Sequence, residues 1–490
     1  MWVQLTRMSE DAKIQAKQDN SSCLESSSLL ECAKPKRYKN ISKSLTIASL
    51  ALFSSPSFAG DTVQENSGSE LVNNITENEK EKSAESFGGK QLEVTKIDMA
   101  LLYYQEPNRV TAAEGIVNLQ ASYGDKSVLD GKLLLDTLSG ASPNGAVPQL
   151  QQQTFTRPSG NGVYHAVNGD TPLDDTFKDT RLQINGSWVE TLSSTDKVNF
   201  GFHLSREYDY TSLGLNTGAE HSFNRGNSSV NTALGYYYDI VDPVGGRPVA
   251  WAPMLYREDF SSQVEFEDEF DKTRQESSAE KQTLDISFGF TQLLNRYWLV
   301  QGNYSVSYLN GYMTDPYKII SLVDDTGTAQ GYRYEHRPDS RLKNSVYLLT
   351  KGALDTGVVD FSYRYSLDDW GIKSHTFETH YRYQFTSTFY GQLHLRYYRQ
   401  SAADFYHTFL LDTAKEPVYG SADSRLGELD TYTFGVKFGH KLPDGFNISY
   451  RLELYQHKPL DNGAERVGQL AELALFEQVD AVIAQVGFTF

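Results

Sequence analysis

The chain has 490 residues, a formal net charge of -18, 39% hydrophobic residues and a mean hydropathy of -0.49. That balance excludes a helical membrane protein, the acidic excess argues against a nucleic-acid surface, which needs a basic face, and two cysteines exclude a disulfide scaffold. What stands out instead is 31 Tyr and 25 Phe, residues that favour strands.

Residues 1–33 form a polar, Ser-rich leader. Residues 34–59 have the pattern of a secretory signal peptide. Lys34, Lys36, Arg37, Lys39 and Lys43 supply the basic region, and Leu45 to Phe53 the apolar one. Ser57-Phe58-Ala59 is a small-x-small site, which predicts cleavage after Ala59. The apolar run is too short for a membrane-spanning helix. Cys23 and Cys32 both precede the cut, so the exported chain has no cysteine. Residues 60–90, with Glu77-Asn78-Glu79-Lys80-Glu81-Lys82, read as a polar periplasmic linker.

From residue 91 onward the texture is an alternation of period two, which places successive side chains on opposite faces of a strand. In 377–385, Phe377, Thr379, Tyr381, Tyr383 and Phe385 oppose Glu378, His380, Arg382 and Gln384. The same pattern recurs at 198–205, 283–291, 389–400 and 446–455. Tight links alternate with long polar ones, which cover 139–178, 241–281, 313–341, 402–424 and 458–477. This asymmetry predicts an all-β fold: a transmembrane antiparallel β-barrel of about 16 strands over 91–490, with short periplasmic turns and long outer loops. The even number puts both ends of the barrel on the periplasmic side. The final strand carries Val482, Ala484, Val486, Phe488 and Phe490 on one face. Its closing Phe488 and Phe490 resemble the signal read by the bacterial barrel-assembly machinery.

Several segments resemble a bacterial family catalogued as domain of unknown function 3570. They are Tyr103-Tyr104-Gln105-Glu106 with Asn108-Arg109-Val110, and Asp136-x-Leu138-Ser139-Gly140-Ala141-Ser142-Pro143-Asn144-Gly145-Ala146. Asp179-Thr180-Arg181, Glu207-Tyr208-Asp209-Tyr210 and Asn310-Gly311-Tyr312-x-x-Asp315-Pro316-Tyr317-Lys318 complete the set. The resemblance implies an exported outer-membrane barrel and supplies no catalytic residues. Its genomic context points to periplasmic flavin and redox proteins as partners.

Candidate sites follow from the strand faces. Arg181, His203, Asp285, Asp360, Arg364, Glu378, His380, Arg382, Arg396, Lys437, Arg451 and Glu453 occupy the non-aromatic face and are expected to line the lumen. Asp136, Ser139, Gly140, Ser142, Pro143, Asn144 and Gly145 are expected to build a structured loop at the outer rim, rich in turn residues. His375, Glu378 and His380 suggest a metal, but only the last two share a face, and zinc needs three or four ligands. The acidic stretch 255–281 lacks the spaced turn of a calcium loop and reads as a solvated outer loop. No catalytic set, metal or cofactor is expected. The expected function is a porin-like, non-enzymatic channel or a partner-binding scaffold in the outer membrane of a Gram-negative bacterium. An outer-membrane hydrolase and a membrane partner of periplasmic redox proteins are the alternatives. Expected contacts are lipid, lipopolysaccharide and the assembly machinery, and no nucleic acid.

Overall fold

A computed structural model describes residues 92–275, 278–443, 445–460 and 466–490, with backbone alone at 175–177. The leader, signal peptide and linker expected over 1–90 lie outside the described residues, as do both cysteines. The first strands are β1 (Leu92–Gln105), β2 (Val110–Tyr123) and β3 (Ser127–Pro143). A small hairpin follows, β4 (Gln153–Thr156) and β5 (Val163–Ala166). Next come β6 (Leu173–Thr191), β7 (Asp196–Arg206), β8 (Tyr210–Phe223) and β9 (Ser228–Val241). One helix, α1 (Gln263–Lys272), precedes β10 (Ala279–Leu293) and β11 (Trp298–Gly311). A second hairpin, β12 (Ile319–Val323) and β13 (Ala329–Tyr334), leads to β14 (Ser340–Ala353), β15 (Gly357–Asp368), β16 (Lys373–Gln384) and β17 (Phe389–Gln400). The chain ends with the short β18 (Leu410–Leu411), then β19 (Leu429–Lys441), β20 (Asn447–Pro459) and β21 (Val479–Thr489).

Sixteen of these strands close an antiparallel barrel in the order β1-β2-β3-β6-β7-β8-β9-β10-β11-β14-β15-β16-β17-β19-β20-β21. They are the sixteen read from the alternation. Closure comes from β1 against β21, Asp98 opposite Thr489 through Gln105 opposite Val482. Phe490 N–H donates to Ile97 O at 2.9 Å and completes the seam. Closing the sheet leaves no unpaired edge, which lipid could not tolerate. Leu101, Leu215 and Phe288 are more than half exposed in the folded chain, and comparable apolar side chains continue around the wall. Opposite them, polar and charged residues point inward and are buried. An apolar outside, a charged inside and unequal links at the two ends are the architecture of an outer-membrane β-barrel.

The sequence underestimates the strands at the long-loop end. β3 runs to Pro143 and β6 starts at Leu173, both inside the stretch 139–178 read as a polar link. The ladder continues through Ser139-Gly140, where small polar residues hide the alternation. The acidic stretch also differs from a plain solvated loop. Ser262 caps α1 by accepting from Glu265 N at 3.1 Å, and Glu265 accepts back from Ser261 N at 3.0 Å. This resembles a capping box with the return bond made one residue before the cap. Phe266 and Phe270 anchor the helix from their buried side.

Candidate functional site

The long loops do not stand apart in solvent. They meet over the mouth, and the 312–339 loop is their hub. Counted around the barrel, this loop joins the ninth and tenth strands, whereas the 144–172 loop joins the third and fourth. Contacts between them must therefore cross the opening. Ile319 N–H donates to Asn144 O at 2.9 Å, Val147 N–H to Ser321 Oγ at 3.0 Å, and Lys318 Nζ to Pro143 O. Met254 N–H, from the 242–278 loop, donates to Tyr332 O at 3.0 Å. Gln469 Nε2, from the 460–478 loop, donates to Gln149 Oε1 at 2.9 Å, and Gln469 N–H to Thr326 O at 2.8 Å. His336 and Gly420 pair backbone to backbone with the 401–428 loop. An apolar centre of Ala146, Phe155, Tyr164, Met254, Ile319 and Tyr332 fills the hub. The loops form one cap over the mouth.

The Ser139-Gly140-Ala141-Ser142-Pro143-Asn144-Gly145 segment is where the wall turns into this cap. A bulge between Gly140 and Ser142 interrupts the β3–β6 ladder, which resumes with Ser142 opposite Asp174 and closes with Pro143 opposite Leu173. Gly140 has φ +141°, and a Cβ there would sit 2.0 Å from Arg109 O. Gly145 has φ +96°, and a Cβ would sit 2.4 Å from Ile319 O. Only glycine accommodates both the dihedral and the approach. Asn144 holds the turn through Oδ1, which accepts from Ala146 N at 2.8 Å, and through Nδ2, which donates to Tyr164 OH at 2.9 Å. Asp136 lies one ladder below, fully buried, and takes Arg181 Nε at 3.0 Å and Nη2 at 2.6 Å. Glu207 stands 3.9 Å from the same guanidinium.

A six-member ion cluster locks the cap. Arg337, wholly buried, meets Glu335 at 2.5 Å and Asp423 at 2.9 Å. Arg425 meets Asp423 at 2.5 Å and Asp315 at 3.2 Å. Lys318 is buried beside them, and Ser421 Oγ donates to Glu335. Three carboxylates face three cations, drawn from the 312–339 and 401–428 loops. Burial alone would raise the Asp423 carboxyl, but Arg425, Arg337 and Lys318 outweigh it and hold it well below the usual range. Glu335 stays raised, since burial outweighs the pull of Arg337. Burial likewise lowers the Lys318 ammonium. Tyr317 OH reaches Asp209 Oδ2 at 2.5 Å and ties the hub to a further rim link.

The twelve lumen candidates all lie on the inner face of their strands, but they do not form one site. Arg181, His203 and Asp285 sit on β6, β7 and β10. His203 Nδ1 contacts Asn185 Oδ1 at 2.7 Å, and its ring stands edge-on to Tyr237. Arg364 lies over the Tyr347 ring, Arg382 over Tyr390 and Arg396 over Tyr398. Lys437 and Arg451 face each other in the β19–β20 register. On the β15–β20 wall the structure chains Asp360 to His380, His380 to Glu378, Glu378 to His394 and His394 to Glu453. His375 points outward instead, with its Nδ1 2.8 Å from Tyr363 OH. Sequence reasoning missed His394 and the ion cluster. His394 could have been found by folding the hairpin about residue 387, which sets His380 opposite His394.

A family model described as "Protein of unknown function (DUF3570)" matches residues 42–490. The chain belongs to this family. The segments that carry the DUF3570 resemblance therefore converge in space: Arg109 on Ala141, Asp136 on Arg181, Asp209 on Tyr317, and Lys318 on Pro143. No curated protein matches the chain by sequence. Among solved structures, the CymD monoaromatic hydrocarbon channel aligns at 9% identity and TM-score 0.34, over 81% of this chain and 87% of that one. The outer membrane protein opdK from Pseudomonas aeruginosa aligns at 9% and 0.33, over 81% and 99%. A mutant of the ferric enterobactin receptor PfeA from Pseudomonas aeruginosa aligns at 10% and 0.39, over 80% and 59%.

Proposed function

We propose that the protein is a non-enzymatic outer-membrane channel whose mouth is closed by its own folded cap. The observation that carries this reading is the buried ion cluster that joins two loops of the cap over the opening. A solvated recognition surface has no need to bury six charges, since burying ions costs several kcal/mol each unless they are paired. A gate does need such a lock, because paired charges released together can swing a segment between two discrete states. Sixteen strands are wide enough for an aqueous passage, and the inner wall is polar and charged, as the interior of water-filled barrels is. Lipid and lipopolysaccharide surround such a barrel, and the assembly machinery would read its terminal Phe490.

Planar-bilayer recording tests the proposal. Wild-type protein should give rare, small openings, and Arg337→Ala should give frequent, larger ones. Heat-modifiable gel mobility would establish that both are folded. Two folded, silent proteins would overturn the channel and leave a partner-binding scaffold.

A further inference from the structure

We propose that Glu378, His380 and His394 form a binding site for one divalent first-row transition metal ion on the inner wall of the barrel. The site stands whether or not the lumen conducts. Its ligands come from two neighbouring strands. Glu378 and His380 share the inner face of β16, and His394 lies directly opposite His380 on β17. One ligand atom from each residue falls within 4.8 Å of the others. His394 Nε2 is 3.2 Å from Glu378 Oε1, and His380 Nε2 is 3.8 Å from the same oxygen. Metal bonds of 2.0–2.2 Å in a tetrahedron set donor atoms about 3.3–3.6 Å apart. The observed gaps bracket that span.

The surroundings fix which nitrogens face the centre. His380 Nδ1 is 2.8 Å from Asp360 Oδ1, and His394 Nδ1 is 2.9 Å from Glu453 Oε1. A carboxylate at Nδ1 holds the proton there and leaves the Nε2 lone pair facing inward. Two nitrogens and a carboxylate oxygen then converge on one point. A cation among these donors would relieve their mutual repulsion. Protonating both rings is a poor substitute, because the imidazoles are stacked with centroids 4.4 Å apart and would carry like charges. Two imidazoles and one carboxylate suit zinc, cobalt, nickel, copper or ferrous iron rather than calcium or magnesium. Three protein ligands leave a position for water or an exchanging ligand. Arg451, 3.8 Å from Glu453, and Arg396, opposite Glu378, offset the charge of these two carboxylates.

The test uses untagged, detergent-solubilised full-length barrel stripped with a chelator and titrated with Zn(II). Wild type should take up one ion per chain. His380→Asn and His394→Asn should each abolish that uptake. Asp360→Asn, which touches only a ligand's far nitrogen, should weaken it 10- to 100-fold. His203→Asn, on the other side of the barrel, should leave it unchanged. Pulsed EPR of the Cu(II)-loaded wild type counts coordinating imidazoles without any variant and should find two. No stoichiometric ion in wild type, fewer than two imidazoles, or undiminished uptake in a folded His380→Asn/His394→Asn double variant would each overturn the site.

Discussion

Replacing Arg337 by Met keeps the aliphatic stem and removes the guanidinium at the centre of the cap. The side chain is wholly buried and touches Glu335 and Asp423. Asp423 keeps Arg425 at 2.5 Å, but Glu335 is left with two neutral donors, the Ser421 hydroxyl and Asp315 N–H at 2.7 Å, and has lost its guanidinium. Removing one partner of a buried pair costs about 3–5 kcal/mol. The loss falls on the cap and not on the barrel, because no member of the cluster lies on a barrel strand. Local opening should therefore become roughly 10²- to several-10³-fold more frequent, at 1.36 kcal/mol per tenfold. Amide hydrogen exchange reads this directly at Ile319, His336 and Ser421, whose N–H groups donate to other cap carbonyls. Exchange at those amides should accelerate while the β1–β21 seam stays protected. The double variant Glu335→Gln/Arg337→Met, which removes the stranded charge, should recover part of the protection. Cap exchange within threefold of wild type in the single variant would refute the lock.

Four further outcomes follow from the geometry. Gly145→Ala forces a Cβ against Ile319 O at a positive φ, a strain of about 1–3 kcal/mol, and should make the cap sensitive to limited proteolysis while gel heat-modifiability persists. Asp136→Ala strands buried Arg181 beside the more distant Glu207; it should cost about 3–5 kcal/mol, seen as a lower temperature for loss of the folded gel band. Leu348→Arg, on the outward face of β14, should cost about 2–4 kcal/mol if it lies near the bilayer midplane, measured by denaturant titration in vesicles. His407, in the 401–428 loop, is held below its ordinary range by burial. Its contribution is complete above the unfolded value of about 6.5 and fades as pH falls below it. Cap proteolysis at pH 5.5 relative to 7.5 should therefore rise more in wild type than in His407→Phe.

The barrel was legible because lipid and lumen impose a binary choice on every strand residue. Phe377 against Glu378, or Leu452 against Arg451, reveals its face at once, and the count of sixteen follows. The cap was not legible, because its contacts join residues with no local pattern. Lys318 and Pro143 lie 175 positions apart, and Arg337 and Asp423 lie 86 apart. The turn residues around Asn144 signalled a structured loop but not its neighbour. The metal candidate fell between these cases. Glu378 and His380 were visible as a pair, whereas His394 required the register of the next strand, which side-chain alternation alone leaves open.

The cap also dates the end of folding. Gln149, near the start of the barrel, hydrogen bonds to Gln469, 320 residues later, just before the last strand. Contacts so distant in sequence are slow to form and come after local pairing. Gln469 is tied to the wall by β20 and β21, and the seam at Phe490 is made by the last residue of the chain. A nascent barrel missing its final hairpin would therefore expose the 144–172 and 312–339 loops without their last fastening. An antibody or protease that reads the sealed mouth would then distinguish finished molecules from those still being inserted.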